Sequence, residues 1–381
     1  MSPVKKRKKR RPWLSRQLRR RPRPVWVLIL CDALLLGLGL VTFALFHHVL
    51  PRHEQSVGIV TTRESLMAAR SQQVDVPRAT DAPAMEAATI APAAPEGAAG
   101  SGETAEPAPT ETPDPDAPKR SVHTTENIGW FGNRFPDKFT DGEVIITDDS
   151  YKSSHVNITL QRHKKPGLAF YVADIYIKDI ISLKTVFAED TFSRGLRESV
   201  VSMNKRVGGI IAINGDFYGC RADGFVMRNG ELYRKDTRTK RDVGVLYWDG
   251  TMETFSPSKF DIDDAIAKGA CQIWNFGPRL LDENGEAMTK FNSDVWGLNP
   301  RTALGYYEPG HYCFVVVDGR TDKSKGMELK DLSKLMHTLG CVRAYNMDGG
   351  NTSVMVVGGK AVNNQSGKGR ITSDAIVIVD N

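Results

Sequence analysis

The sequence predicts an α+β fold: a mixed, largely antiparallel sheet with a few covering helices, preceded by a transmembrane helix and a disordered linker. Three observations carry that prediction. Apolar, β-rich runs are joined by tight turns at Asn229-Gly230, Asp249-Gly250 and Asn284-Gly285, pairs that suit the positive φ of two-residue hairpins. Helical signals in the C-terminal two thirds are few, which argues against a regular βαβ alternation. Near the N-terminus a long apolar run precedes a stretch of Ala, Pro, Glu and Thr with almost no aromatic residues.

The net charge of +6 is local in origin. Residues 1–24 form a basic tail with about a dozen Lys and Arg and no acid, which leaves about −6 for the rest of the chain. The bulk of the protein is therefore not built to hold nucleic acid. Residues 25–46, "VWVLILCDALLLGLGLVTFALF", are expected to form a transmembrane anchor. About 22 residues make roughly 33 Å of helix, enough to cross a bilayer. The basic flank places the N-terminus in the cytoplasm and the C-terminal part outside. A cleaved signal peptide fits less well, because the apolar region is long and no small-x-small site follows. Asp32 reads as an acid reaching toward the interface. Residues 51–124 cannot bury enough apolar surface to offset chain entropy and read as a disordered spacer, with a reach of roughly 50 Å.

Residues 125–381 read as one globular domain without internal repeats. "HVNITLQRH" (155–163) and "LAFYVADIYI" (168–177) predict strands. Residues 193–209 predict a helix with Ser193 as N-cap. "HYCFVVVDGR" is a further strand. In "MELKDLSKLMHTLG", Leu332, Leu335, Met336 and Leu339 share one helical face and Gly340 ends it. "VRAYNM", "SVMVVGG" and "AIVIV" supply the last strands. Cys220, Cys271, Cys313 and Cys341 show no CxxC or Cys/His spacing, so zinc is not indicated. Outside the cell they would form two disulfides in one of three pairings, or remain four buried thiols.

Four polar stretches interrupt apolar strands: "INGDFYG" (213–219), "NPRTALGY" (299–306), "VVDGRTDKSKGM" (316–327) and "NMDGGNTSVM" (346–355). Each places an acid, Asn or Arg at a strand end, where a sheet holds it and solvent reaches it. Singly, such Asp-Gly and Asn-Gly pairs are ordinary turn chemistry. Asn351-Thr352-Ser353 also fits a glycosylation sequon.

In this order, with the 325–341 helix and the closing "RITSDAIVIV", these stretches resemble the phosphodiester glycosidase family over about residues 165–381. Family members usually carry a third glycine and a serine where this chain has Asn351 and Thr352. The resemblance implies hydrolysis of a sugar-1-phosphodiester at the sugar side. A carboxylate should lie near the anomeric carbon and another should activate water or act as nucleophile, while the leaving phosphate needs cations and N–H donors.

On that reading Asp216 and Asp348 are the expected carboxylate pair. Arg301 and Arg320 are the phosphate clamp, with Arg279 and Arg370 in reserve, because guanidinium matches phosphate in a bidentate way. Gly349 and Gly350 would offer backbone N–H groups as a nest. Asn214, Asn346, Thr352 and Ser353 are candidates to bind sugar hydroxyls or aim water, and Asp318 reads as a turn or supporting residue. Hard oxygen donors on Asp216 and Asp348 would suit Ca²⁺ or Mg²⁺, although no spacing demands a metal.

The expected protein is a membrane-anchored extracellular glycosidase acting on cell-surface or exopolysaccharide glycans. The alternative is a non-catalytic glycan-binding or scaffolding protein of the envelope. A serine hydrolase using Ser353 ranks lower, since His155, His163, His311 and His337 all lie outside the four polar stretches.

Overall fold

A computed structural model describes residues 25–44, 52–53, 55–72, 128–363 and 371–381. Contacts divide the chain into two units, Met1–Pro51 and Arg52–Asn381. In the first, Val25–Ala44 is a 20-residue α-helix whose described leucines stand exposed. Among the described residues no helix is long and apolar enough to cross a membrane. The expected span at 25–46 is therefore not carried by the structure, and residues 45–46 lie outside the described set.

The second unit holds four sheets: the two-stranded pair Arg52–His53 and Ser193–Arg194, and three larger ones that share a central core. The seven-stranded sheet runs, in spatial order, Arg343–Asn346, Arg301–Glu308, His311–Val317, Leu168–Ile177, Val156–Lys165, Ser150–Lys152 and Ile145–Ile146. A five-stranded sheet runs Lys360–Ala361, Met355–Val357, Ile211–Asn214, Asp374–Ile378 and Leu183–Phe187. A six-stranded sheet runs Met252–Phe255, Val243–Tyr247, Ala270–Trp274, Gly224–Arg228, Glu231–Asp236 and Ile59–Val60. Described pairings in all four sheets are antiparallel, so the fold is α+β with several antiparallel sheets in place of one mixed sheet.

Many strands are buried on both faces, which explains their unbroken apolar runs. Ile175 and Phe314 from the first sheet, Ile213 and Ile376 from the second, and Leu246 and Trp274 from the third meet in the central core. Each outer face is covered by one short helix. Leu329, Leu332 and Met336 of helix Leu329–Thr338 pack on Val315 and Ala303. Val200 and Met203 of helix Val200–Arg206 pack on Ala212 and Val377. Ile262 and Ala265 of helix Ile262–Ala267 pack on Val245 and Ile273. Burying each such side chain contributes about 1.5–3 kcal/mol.

Two boundaries differ from the sequence expectation. The helix expected over 193–209 is only Val200–Arg206, capped by Ser199, whose Oγ accepts from Ser202 N at 3.0 Å. Ser193 does not cap it, because Ser193–Arg194 pairs with Arg52–His53. The spacer also begins later than residue 51. Ile59–Val60 pairs with Glu231–Asp236 and covers an edge that would otherwise present open N–H and C=O groups. Thr61 Oγ1 donates to Ala270 O at 2.7 Å, Arg63 pairs with Asp179 at 2.8 Å, and Leu66 of helix Arg63–Gln72 is buried. Residues 73–124 of the expected linker lie outside the described residues. Cys220, Cys271, Cys313 and Cys341 are all free thiols, with Cys313 and Cys341 Sγ 3.6 Å apart, so the two disulfides do not form; the expectation of buried thiols holds for Cys271, Cys313 and Cys341, while Cys220 is half-buried.

Candidate active site

Three of the four polar stretches converge beside a cavity of about 380 Å³ at one end of the seven-stranded sheet, and the fourth, 213–219, reaches it through Phe217. Strand Arg301–Glu308 begins there, strand His311–Val317 runs into the Arg320 loop, and strand Arg343–Asn346 leads to Asp348. The cavity is lined by Asn346, Asp348, Gly349, Gly350, Arg301 and Arg320, as the sequence predicts. Other parts of the wall were not anticipated: Phe217, Arg221, Arg241, Phe276 and the 292–295 segment that carries Asp294.

Asp348 is 7% exposed, and its Oδ1 accepts from Gly349 N at 2.9 Å. Its loop is fixed from behind by Asn214, whose Nδ2 donates to Asp348 O at 2.8 Å. Asn214 Oδ1 accepts from Thr302 Oγ1 at 2.8 Å and Val354 N at 3.1 Å. Asn214 is fully buried and lies outside the cavity wall, so it positions the site and does not touch a ligand there.

The expected partnership of Asp216 with Asp348 is overturned. Their loops run side by side, with Asp348 N donating to Gly215 O at 3.3 Å. The Asp216 side chain, 1% exposed, instead meets Arg228 Nη2 at 3.0 Å and accepts from Tyr218 N at 2.9 Å and Asn275 N at 3.0 Å. Arg228 also reaches Asp374, with Nη2 at 2.8 Å and Nε at 2.9 Å. Burial works against the Arg228 charge, but the two carboxylates outweigh it and raise its pKa. Burial pushes the Asp374 carboxyl up, Arg228 opposes that, and Asp216 adds to it. Such a triad is a structural core element. A side chain on Gly215 would lie 2.3 Å from Asp374 Oδ1, so the chain can pass only with glycine there. With Asp216 neutralised by Arg228, Asp216 and Asp348 do not form the cation site considered from sequence. Among the described residues no group of three His, Cys, Asp or Glu is placed to hold a metal.

Several other expectations change role. Gly349 N is committed to Asp348 and Gly350 N donates to Pro300 O at 3.0 Å, so this pair does not form a phosphate nest. Gly350 is required because its φ is +69° and a Cβ would press on the Arg320 guanidinium at 3.3 Å. Thr352 is buried and donates to Gly349 O at 2.7 Å, and Ser353 is fully buried; neither lines the cavity. Burial also removes the basis for a Ser353 nucleophile. Asp318 Oδ1 accepts from Asn363 Nδ2 at 2.9 Å, and Asn363 donates to Ser353 O at 3.1 Å, which confirms a supporting place for Asp318. Arg279 is paired with Glu283 at 2.9 Å, away from the cavity, and Arg370 lies outside the described residues. Asn346 Nδ2 donates to Gly277 O at 2.8 Å, while its buried Oδ1 has no partner among the described residues.

The four cavity arginines fall into two pairs. Arg301 is buried; its Nε donates to Met327 O at 3.0 Å and its Nη2 to Gly297 O at 2.5 Å. Burial, and then neighbouring Arg320, lower its pKa to about 10. Arg320 sits at φ +59°, a left-handed conformation costly for an ordinary residue, and donates to Asn299 Oδ1 at 2.8 Å. Arg221 stacks over Phe217 and Phe276, 5.2 and 4.9 Å from the ring centroids, and donates to Asn275 O at 3.2 Å. Burial, and then Arg241, lower its pKa. Among the described residues none of the four is in an ion pair. Arg221 follows directly on the "NGDFYGC" stretch, a signal that was open to reading; Arg241 and Asp294 lie in segments with no distinguishing pattern.

Four guanidinium groups outside any described ion pair thus share one cavity wall with a nearly buried carboxylate. Residues 208–379 match the family model of the phosphodiester glycosidases. Over 258 residues the chain is 30% identical to the SPbeta prophage-derived uncharacterized protein YomE of Bacillus subtilis strain 168. That alignment takes in 61% of this chain and 39% of the relative, so the chain spans well under half of the relative's length. It is also similar to the catalytic domain of zebrafish N-acetylglucosamine-1-phosphodiester alpha-N-acetylglucosaminidase, auto-inhibited by its pro-peptide, at 19% identity, 63% of this chain, 88% of that chain and a TM-score of 0.49. A hypothetical protein from Synechocystis is similar at 13% identity, 59% of this chain, 62% of that chain and a TM-score of 0.45.

Proposed function

We propose that the protein is a hydrolase of sugar-1-phosphodiesters, held at the outer face of the cell membrane and acting on cell-surface or extracellular glycans. The observation that supports it best is the placing of Asp348 in a cavity with four arginines that have no described carboxylate partner. Arg301 and Arg320 hold the phosphate. Asp348 faces the anomeric carbon, where its charge stabilises oxocarbenium character or aims water. Asp294, on the rim of the same cavity, is the second carboxylate within this reading. The leaving phosphate departs as an anion into the arginine field, so a strong general acid is not required. The match of residues 208–379 to the phosphodiester glycosidase model supports the reaction class.

The tether in this reading rests on sequence alone: the apolar run 25–46, with the basic tail on its cytoplasmic side. Alkaline extraction of membranes tests it: a tethered chain stays in the pellet, and release into the supernatant counts against the anchor.

The catalytic test is incubation with a sugar-1-phosphodiester and assay for free sugar and phosphomonoester together. A second reading, a glycan-binding protein without turnover, draws on the burial of Asp216, which leaves one expected carboxylate at the cavity. Binding without either product would establish that second reading.

A further inference from the structure

We propose that the ligand of this cavity carries two consecutive phosphate groups: a glycosyl diphosphate diester, in place of a single phosphodiester. The inference rests on the hydrolase site above and narrows its substrate. The wall holds four guanidinium groups, Arg221, Arg241, Arg301 and Arg320, against two carboxylates, Asp294 and Asp348. That leaves an excess of two positive charges. One phosphodiester brings one negative charge at neutral pH and a diphosphate diester brings two, so only the latter balances the wall.

Placement agrees with the count. Arg301 and Arg320 stand with Asn299 and the Gly349-Gly350 loop. Arg221 stands on the Phe217 and Phe276 side, stacked on both rings, with Arg241 beside it. The rings hold the Arg221 guanidinium plane and leave its edge for a bidentate phosphate contact. Elsewhere in the domain arginines such as Arg63, Arg206 and Arg228 are matched by carboxylates. A single phosphate at the anomeric oxygen gives Arg301 and Arg320 a partner and leaves Arg221 and Arg241 repelling each other. A second phosphate satisfies the second pair.

The step balances without a further reagent. The oxygen of water bonds to the anomeric carbon, and the bond from that carbon to the first phosphate oxygen breaks. The electron pair leaves with the diphosphate monoester, the sugar keeps the hydroxyl, and the remaining proton passes to the departing phosphate.

The test uses the full chain in detergent, with inorganic pyrophosphate and inorganic phosphate as probes at fixed ionic strength, titrated by calorimetry. Wild type is expected to bind pyrophosphate roughly tenfold or more tightly than phosphate. In Arg221→Gln/Arg241→Gln the preference falls to near unity, with an unchanged melting curve. If that double variant fails to fold, Arg241→Gln alone, at an exposed position, carries the test. No preference in wild type, or a preference that survives in the variant, overturns the proposal. Turnover of a simple sugar-1-phosphodiester with no pyrophosphate preference sinks this inference and keeps the hydrolase. A pyrophosphate preference without turnover of either ester keeps the ligand class and sinks the hydrolase.

Discussion

The side chain of Asn214 donates from Nδ2 to the backbone carbonyl of Asp348 at 2.8 Å, across 134 residues of sequence. The same amide accepts from Thr302 Oγ1 and from Val354 N through Oδ1. One buried side chain thus joins the end of strand Ile211–Asn214, the start of strand Arg301–Glu308 and both sides of the Asp348 loop. These segments belong to three of the four polar stretches that interrupt the strands, so their common geometric need is this junction.

Asn214→Ala removes that junction and leaves buried donors and acceptors unpaired, each costing about 1–3 kcal/mol. The melting temperature should fall and kcat should drop more than KM rises, because Asp348 is displaced while the arginines stay. Thermal melts beside steady-state kinetics check it; an unchanged kcat in folded protein would show that the Asp348 loop holds its place unaided.

Asp348→Asn keeps size and removes the charge at the cavity wall. Turnover should fall by about 10²–10⁴, with stability close to wild type. Rates near wild type would remove Asp348 from the chemistry.

Asp216, by contrast, should act through stability. Asp216→Asn removes one carboxylate from a buried cation, a change that costs about 3–5 kcal/mol when no partner remains. Here Asp374 stays on Arg228 at 2.8 Å, so the loss should sit at or below the lower end. Denaturant melts read it directly, and full stability with abolished turnover would return Asp216 to the catalytic group.

The strands and turns were legible because their signals are local. Leu168–Ile177 forms as expected from a β-branched apolar run, and Asn229 and Gly230 take the φ values of +51° and +89° that such a hairpin asks for. The direction of a side chain at a strand end is not local. Asp216 and Asp348 look alike in sequence, each following an apolar run, yet one turns to the core and one to the cavity. A sign was present in the partners: Arg228 closes the wholly buried strand Gly224–Arg228, and Asp374 opens the wholly buried strand Asp374–Ile378. A charge in a strand buried on both faces needs a counter-charge. The docking of Ile59–Val60 was hidden for a related reason, since two residues pairing with an edge far along the chain leave no periodicity to detect.

The same triad sets a pH response. Burial raises the Asp374 carboxyl above its ordinary range against the pull of Arg228, so the folded state gives up that proton at a higher pH than the unfolded chain does. This contribution to stability is full below the unfolded carboxylate pKa and declines as pH rises toward the folded one. Melting temperatures should therefore fall between roughly pH 5 and pH 8 from this group, and Asp374→Asn should flatten the fall. An identical slope in the variant would place the response elsewhere.

Arg301→Lys separates bracing from ligand contact. Arg301 donates to Met327 O and Gly297 O, carbonyls on two loops that border the cavity. A lysine has one ammonium and no planar fork, so it cannot hold both carbonyls and still face a phosphate. KM should rise and the melting temperature should drop by a few degrees, as a loss of about 1–2 kcal/mol gives. Arg320→Lys provides the contrast: Arg320 braces only Asn299, is exposed and holds a left-handed backbone. Its KM should rise without a fall in stability. Equal melting losses in the two variants would mean that Arg301 is no more a brace than Arg320, and equal KM values to wild type would remove both from the phosphate.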